Sequence, residues 1–183
     1  MSLFSSIQHN IFRPLERMSN WFLPTLARFI FGVTLYYYFI NSAMTKLGGE
    51  GLGALLTPTA GMFGQMLPAA AEAAGYDVST ATFPQTMIML SGTWAEFVLP
   101  TLIIIGLFTR FAAIGMVGFL AVMTVVDLYG HGGISDPAVL GAWFDTDTSG
   151  IVLDQRIYWV FLLLYLFFRG AGPLSIDRFF KRT

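Results

Sequence analysis

The chain has 183 residues, of which 55% are hydrophobic and only 11% charged, with 10 Lys and Arg against 11 Asp and Glu for a formal charge of −1; its mean hydropathy is +0.66. Soluble domains carry about 25% charged residues, so this composition argues against a water-soluble core and makes lipid the solvent for much of the surface. The balanced charge gives no basis for nucleic-acid binding, and the absence of cysteine removes disulfides, thiolate redox chemistry, iron–sulfur ligation and covalent haem attachment from this chain.

Residues 1–22 lack the long apolar stretch and small-residue cleavage site of a signal peptide. Instead Phe4, Ile7, Ile11, Leu15, Met18 and Phe22 recur at spacings of three and four. Gln8, His9, Arg13, Glu16 and Arg17 fall mostly between them. The pattern predicts an amphipathic helix lying in the membrane interface, bent or split at Pro14. A first span is expected at about 23–46, with Pro24 in its first turn. Arg28 lies inside this span and Lys46 closes it, about five turns apart at 3.6 residues per turn. Both fall on one stripe with Gly32, Leu35, Phe39 and Ser42, and the small residues allow close helix approach.

Residues 47–84 read as a long outer loop broken by Gly and Pro, with one or two short surface helices within MFGQMLPAAAEAAGY. A second span follows at about 85–107. It places Gly92, Glu96, Leu99, Ile103 and Gly106 on one face. Pro100 removes the hydrogen bond that the Glu96 carbonyl would otherwise accept, which predicts a kink. The short turn FTRF leads into a third span at about 111–129. Residues 130–155 form a second, acidic outer loop, and the fourth span is expected at about 156–170. Tyr158 and Trp159 at one end, with Phe167 and Phe168 at the other, match interfacial aromatic belts. The expected architecture is all-α: one membrane domain over 1–183, a left-handed antiparallel bundle of four transmembrane helices with an N-terminal interfacial helix.

Charge sets the orientation. Arg13, Arg17, Arg110, Arg169, Arg178, Lys181 and Arg182 lie before span one, between spans two and three, and after span four. The other two loops carry Glu50, Glu72, Asp77, Asp136, Asp145, Asp147 and Asp154. By the positive-inside rule both termini are cytoplasmic and both acidic loops are outside. His9 and His131 then fall on opposite sides, which argues against a bis-histidine haem within the chain.

Polar groups inside a span are costly and need partners. Arg28, some ~8–10 Å from the cytoplasmic end of span one, and Glu96, some ~16 Å from that end of span two, are expected to pair, given a rise of 1.5 Å per residue. The pair either fixes helix register or makes a buried polar site for a proton, a quinone head group or an anion. Lys46, Asp127 and His131, with Asn41 nearby, form a second cluster expected near the outer face. They are either helix-end charges reaching water or a site where His131 moves a proton or ligates a metal. Met62 and Met66, at i, i+4, are weak thioether candidates for Cu(I), against the commoner role of methionine as gap-filler. No resident metal is expected. No phosphate-binding glycine motif or nucleophile elbow is present, so catalysis by this chain alone has little support.

The motifs LARFIFGV…AMTKL, SGTWAEFVLPTLIIIGLFTRFAA and RGAGPLSID together resemble the DoxX family of small four-helix membrane proteins. The resemblance implies a membrane subunit of an oxidoreductase assembly, including quinone-linked thiosulfate oxidation, with partners in the bacterial inner membrane or periplasm. It also matches Arg28, Lys46, Glu96, Arg110 and Asp177 to the family's recurring polar positions. With no cysteine and no paired histidines, any redox centre is expected on a partner. The rival expectations are a structural accessory subunit of a larger membrane assembly, and a small transporter or metal-handling protein.

Overall fold

A computed structural model of the chain describes residues 3–49 and 52–180, with side chains from Phe12 onward except that of Leu52. The described residues contain helices and turns and no strand. The first long element is α1 (Leu3–Phe31), which passes through a π-helical turn at Gly32–Tyr36 into α2 (Tyr37–Lys46). The helix runs unbroken through Pro14 and Pro24. The expected break at Pro14 and the expected helix start at Pro24 are therefore corrected: the N-terminal apolar stripe belongs to the same continuous helix as span one. A proline forfeits one intrahelical bond but does not oblige the chain to leave the helix when the turns on both sides hold. Phe12, Leu15, Met18 and Trp21 are all exposed on it. The side chains of Phe4, Ile7, Gln8, His9 and Ile11 lie outside the described residues, as do Glu50, Lys181 and Arg182.

Two short helices, α3 (Ala60–Met66) and α4 (Pro68–Ala73), follow in the first long loop. Then come α5 (Phe83–Ile105) and α6 (Thr109–Val125), the latter extended by a π-helical turn at Val126–Gly130. The short α7 (Pro137–Leu140) lies in the acidic loop. A π-helical turn at Ile151–Gln155 opens α8 (Arg156–Arg169), and α9 (Ile176–Phe180) ends the described chain. Four helical stretches are long and apolar enough to cross a membrane: Phe12–Lys46, Phe83–Ile105, Thr109–Gly130 and Ile151–Arg169. A hydrocarbon core of about 30 Å needs about 20 residues, and each stretch meets that.

The spans close into a ring. The first packs on α5 and α8, α5 packs on α6, and α6 packs on α8. Phe31, Leu35 and Phe39 of the first span meet Ile103, Ala112, Ala113, Met116, Leu120, Leu163 and Leu166 in the main core. Ala112, Ala113 and Gly115 keep one face of α6 thin; a Cβ at Gly115 would stand 3.2 Å from Leu99 Cδ2. Small residues of this kind let membrane helices approach and gain dispersion contact. At one end of the bundle α3 and α4 form a cap with its own cluster, Met62, Phe63 and Ala71 against Met89 of α5. Thr59 caps α3 by accepting from the Met62 N–H at 3.1 Å, and its hydroxyl donates to the Lys46 carbonyl at 2.6 Å. The opposite, basic end carries the α5–α6 turn and the segment leading into α9.

Candidate functional site

Lys46 and Glu96 form the buried charge pair of the bundle. They are 4% and 2% exposed. Lys46 Nζ donates to Glu96 Oε2 at 2.7 Å and to Oε1 at 3.0 Å. It also donates to the Ser42 hydroxyl at 2.8 Å and the Ser42 carbonyl at 3.2 Å, and the Ser42 hydroxyl donates to Glu96 Oε1 at 3.2 Å. The lysine therefore reaches back one turn along its own helix, as the N-terminal tilt of helical Cα–Cβ bonds favours. Removal from water is compensated by a direct ion pair and a hydroxyl bridge.

The expected Arg28–Glu96 pair does not form. Arg28 is buried at the basic end, where its Nε donates to the Ile103 carbonyl at 2.9 Å and its guanidinium also reaches the Ile104 carbonyl. The same group donates to the carbonyls of Ala171, at 3.0 Å, and Leu174. The last carbonyls of α5 keep lone pairs to spare and carry the negative end of the helix dipole, so a cation finds its counter-charge there without a carboxylate. Since α1 and α5 run in opposite directions, the same side-chain tilt turns Arg28 toward the basic end and Glu96 toward the cap. Asp177 completes this end: its carboxylate accepts from the N–H groups of Phe108 at 2.7 Å and Thr109 at 3.0 Å, capping α6.

A cavity of about 570 Å³ opens beside the Lys46–Glu96 pair. Ser42, Lys46 and Glu96 make its polar wall, with Asp127 and His131 also on its lining. Gly92, Gly115 and Gly118 leave it room; a Cβ at Gly118 would meet nothing within 4 Å. Leu99, Phe119 and Met123 supply apolar surface. Ile88 and Val122 line it too and are 48% and 62% exposed. The lining thus combines exposed apolar side chains with the buried Lys46–Glu96 pair.

The expected outer cluster divides. Lys46, Asp127 and His131 share the cavity lining, but Asp127 takes Arg156 as its ion-pair partner. Arg156 is 4% exposed and also donates to Thr124 Oγ1 at 2.8 Å. Arg156 was not among the expected site residues; the i, i+3 face shared by Thr124 and Asp127 was the available signal. A His131 ring nitrogen lies 3.3 Å from the Gln65 carbonyl, tying the cap to the end of the third span. Asn41 is exposed and is not on the cavity lining; it borders a neighbouring groove with Val33 and Tyr37 that meets the cavity at Tyr38 and Ser42. Met66 borders the cavity, whereas Met62 is fully buried beside Phe63 and Ala71. A Met62–Met66 copper site therefore has no open face shared by both sulfurs. The described residues contain no group of three His, Asp or Glu spaced to hold a metal. α5 continues through Pro100, and Thr101 Oγ1 bonds the Phe97 carbonyl at 2.7 Å on the next turn.

Four apolar helices around a buried ion pair define a multi-pass helical membrane protein. Residues 23–128 match the DoxX family model, and the chain belongs to the DoxX family. The match takes in Arg28, Lys46, Glu96 and Arg110 but ends before the RGAGPLSID segment. Comparison with curated proteins gives no match, and comparison with solved structures gives none.

Proposed function

We propose that this chain is a quinone-binding membrane subunit of a redox complex, lying in the bacterial inner membrane with both termini cytoplasmic. The observation that carries the reading is the cavity beside Lys46 and Glu96, whose lining joins that buried charged pair to exposed apolar residues such as Ile88 and Val122. A quinone head group is a flat ring with carbonyl oxygens on an apolar tail. Its ring fits a slot lined by glycines, its tail fits the exposed apolar part of the lining, and a quinone carbonyl would take over one of the Lys46 N–H bonds now made to Ser42. Reduction to the quinol needs two electrons and two protons. The electrons would come from a redox centre on a partner subunit, and Glu96 and Lys46 are placed to pass protons. The orientation is supported by Arg110, Arg169 and Arg178 gathering at one end of the bundle, against the acidic loops at the other.

The test is extraction of bound quinone from the full chain purified in mild detergent, with Gly118→Leu and Glu96→Gln. Gly118→Leu fills open space in the cavity wall without touching the ion pair. Co-purifying quinone should fall at least tenfold in Gly118→Leu while the thermal melt holds. Quinone retained at the wild-type level in that variant would sink the reading.

A second reading has its own support. Both oxygens of Glu96 are already satisfied by Lys46 and Ser42, so the pair suffices to lock α2 onto α5 in a purely structural accessory subunit. Loss of assembly in Glu96→Gln with quinone content unchanged favours that reading.

A further inference from the structure

At the basic end a second cavity, of about 500 Å³, is bordered by Arg110, Arg169 and Arg178. All three residues are exposed. None of their guanidinium groups makes a hydrogen bond or ion pair to protein among the described residues. The single acid on the cavity lining is Asp177, and its carboxylate is already taken by the Phe108 and Thr109 N–H groups. Three guanidinium groups thus border one space against a single carboxylate that pairs with none of them, which leaves a net positive charge on the described lining. Like charges held together repel, so the arrangement favours an anion that each can reach. Guanidinium groups match phosphate oxygens in planar, two-pronged hydrogen bonds.

Beside the arginines the lining holds small and polar residues, among them Asn20, Thr109 and Ser175, together with three aromatic side chains. Trp21, Phe108 and Phe111 border the same cavity and are 52%, 61% and 76% exposed. A free anion has no use for them, whereas an amphiphile does. The cavity also lies at the basic end of the bundle, lined from α1, α6, α8 and α9, the end that the positive-inside rule assigns to the cytoplasmic head-group layer. Basic pockets between transmembrane helices at that level take anionic head groups.

We propose that this cavity is a binding site for an anionic phospholipid, its phosphate among Arg110, Arg169 and Arg178 and its first acyl carbons against Trp21 and Phe111. The fold braces the backbone around the site. Arg28 ties the end of α5 to the segment containing Ala171 and Leu174, and Asp177 ties α9 to α6. The three arginines are thus presented from α6, α8 and α9 by a frame independent of any ligand.

The experiment is native mass spectrometry and thermal melting of the full chain in detergent. Phosphatidylglycerol, cardiolipin, phosphatidylcholine, glycerol 1-phosphate and inorganic phosphate are added separately. Anionic lipid should remain bound and raise the melting temperature, while phosphatidylcholine and the two water-soluble phosphates should do neither at equal concentration. R110Q combined with R169Q should lower retention of anionic lipid at least tenfold, with the melt in phosphatidylcholine unchanged. R13Q combined with R17Q, which removes two cations outside the cavity, should leave retention unchanged. Should the double cavity variant fold poorly, R178Q alone, on the terminal helix, should show the same loss at smaller size. Retention equal in R110Q/R169Q and wild type, or equal for phosphatidylcholine, overturns the proposal. Stabilisation by inorganic phosphate equal to that by lipid overturns its lipid part.

Discussion

Lys46 Nζ stands 2.7 Å from Glu96 Oε2 with both side chains almost fully buried, and this contact joins the end of the first span to the middle of the second. Removing one member of such a pair leaves an uncompensated charge, which costs about 3–5 kcal/mol, whereas replacing both by apolar groups is often neutral. Lys46→Met should therefore lower the melting temperature in detergent sharply, and Lys46→Met with Glu96→Leu should recover most of the loss. A double variant as unstable as the single one would show that the pair does more than cancel charge.

Arg28 makes its contacts to four carbonyls rather than to an acid. Hydrogen bonds to charged groups contribute about 1.5–3 kcal/mol each, so Arg28→Ala should destabilise by more than any one such bond. Arg28→Lys should recover only part, because an ammonium lacks the planar fork that reaches α5 and the 171–174 segment together. Thermal melting of the two variants checks the order. Protease cleavage near residues 171–175 should rise in both.

Gly106 has φ +71° at the end of α5, and a Cβ there would lie 2.8 Å from Arg28 Cζ and 2.5 Å from Ser175 Cβ. Left-handed backbone alone costs a non-glycine residue about 1 kcal/mol, and the contacts add to it. Gly106→Ala should thus melt lower than the wild type by more than Gly118→Ala does. Gly118 lies within a helix with open space around it, so alanine there should hold or raise stability.

Asp77 lies outside the spans, in the loop between α4 and α5. The hydroxyl of Ser79, at 2.7 Å, and its backbone N–H, at 2.9 Å, both donate to its carboxylate and hold its pKa below the usual range. A depressed carboxylate stabilises the folded form above the unfolded pKa, about 3.9 for Asp, and that contribution fades as pH falls through the lower folded value. Protection factors of the amides in residues 77–81, taken against intrinsic exchange at each pH, should therefore fall in acid. Asp77→Asn should flatten this dependence without changing the bundle.

Much of the architecture was legible along the chain because lipid imposes a coarse rule. Four runs of about twenty apolar residues must be helices, since every backbone polar group needs an internal partner. The same rule made Lys46, Glu96 and Arg28 conspicuous. The stripe joining Ser42 and Lys46 already held two of the three groups that meet at the cavity. The helices in the first long loop were visible in their alanines, but not that they cover the end of α5 with a core of their own.

What the sequence by itself determined was the number of spans and which residues had to be partnered. Which partner each took was decided only in three dimensions. Arg28 found the last carbonyls of α5, Lys46 folded back along its helix to Glu96, and Arg156 took Asp127. Periodicity places a residue on a face and at a depth. The direction of its side chain along antiparallel helices, and the acceptors that a distant segment such as 171–174 brings within reach, exist only once the helices have packed.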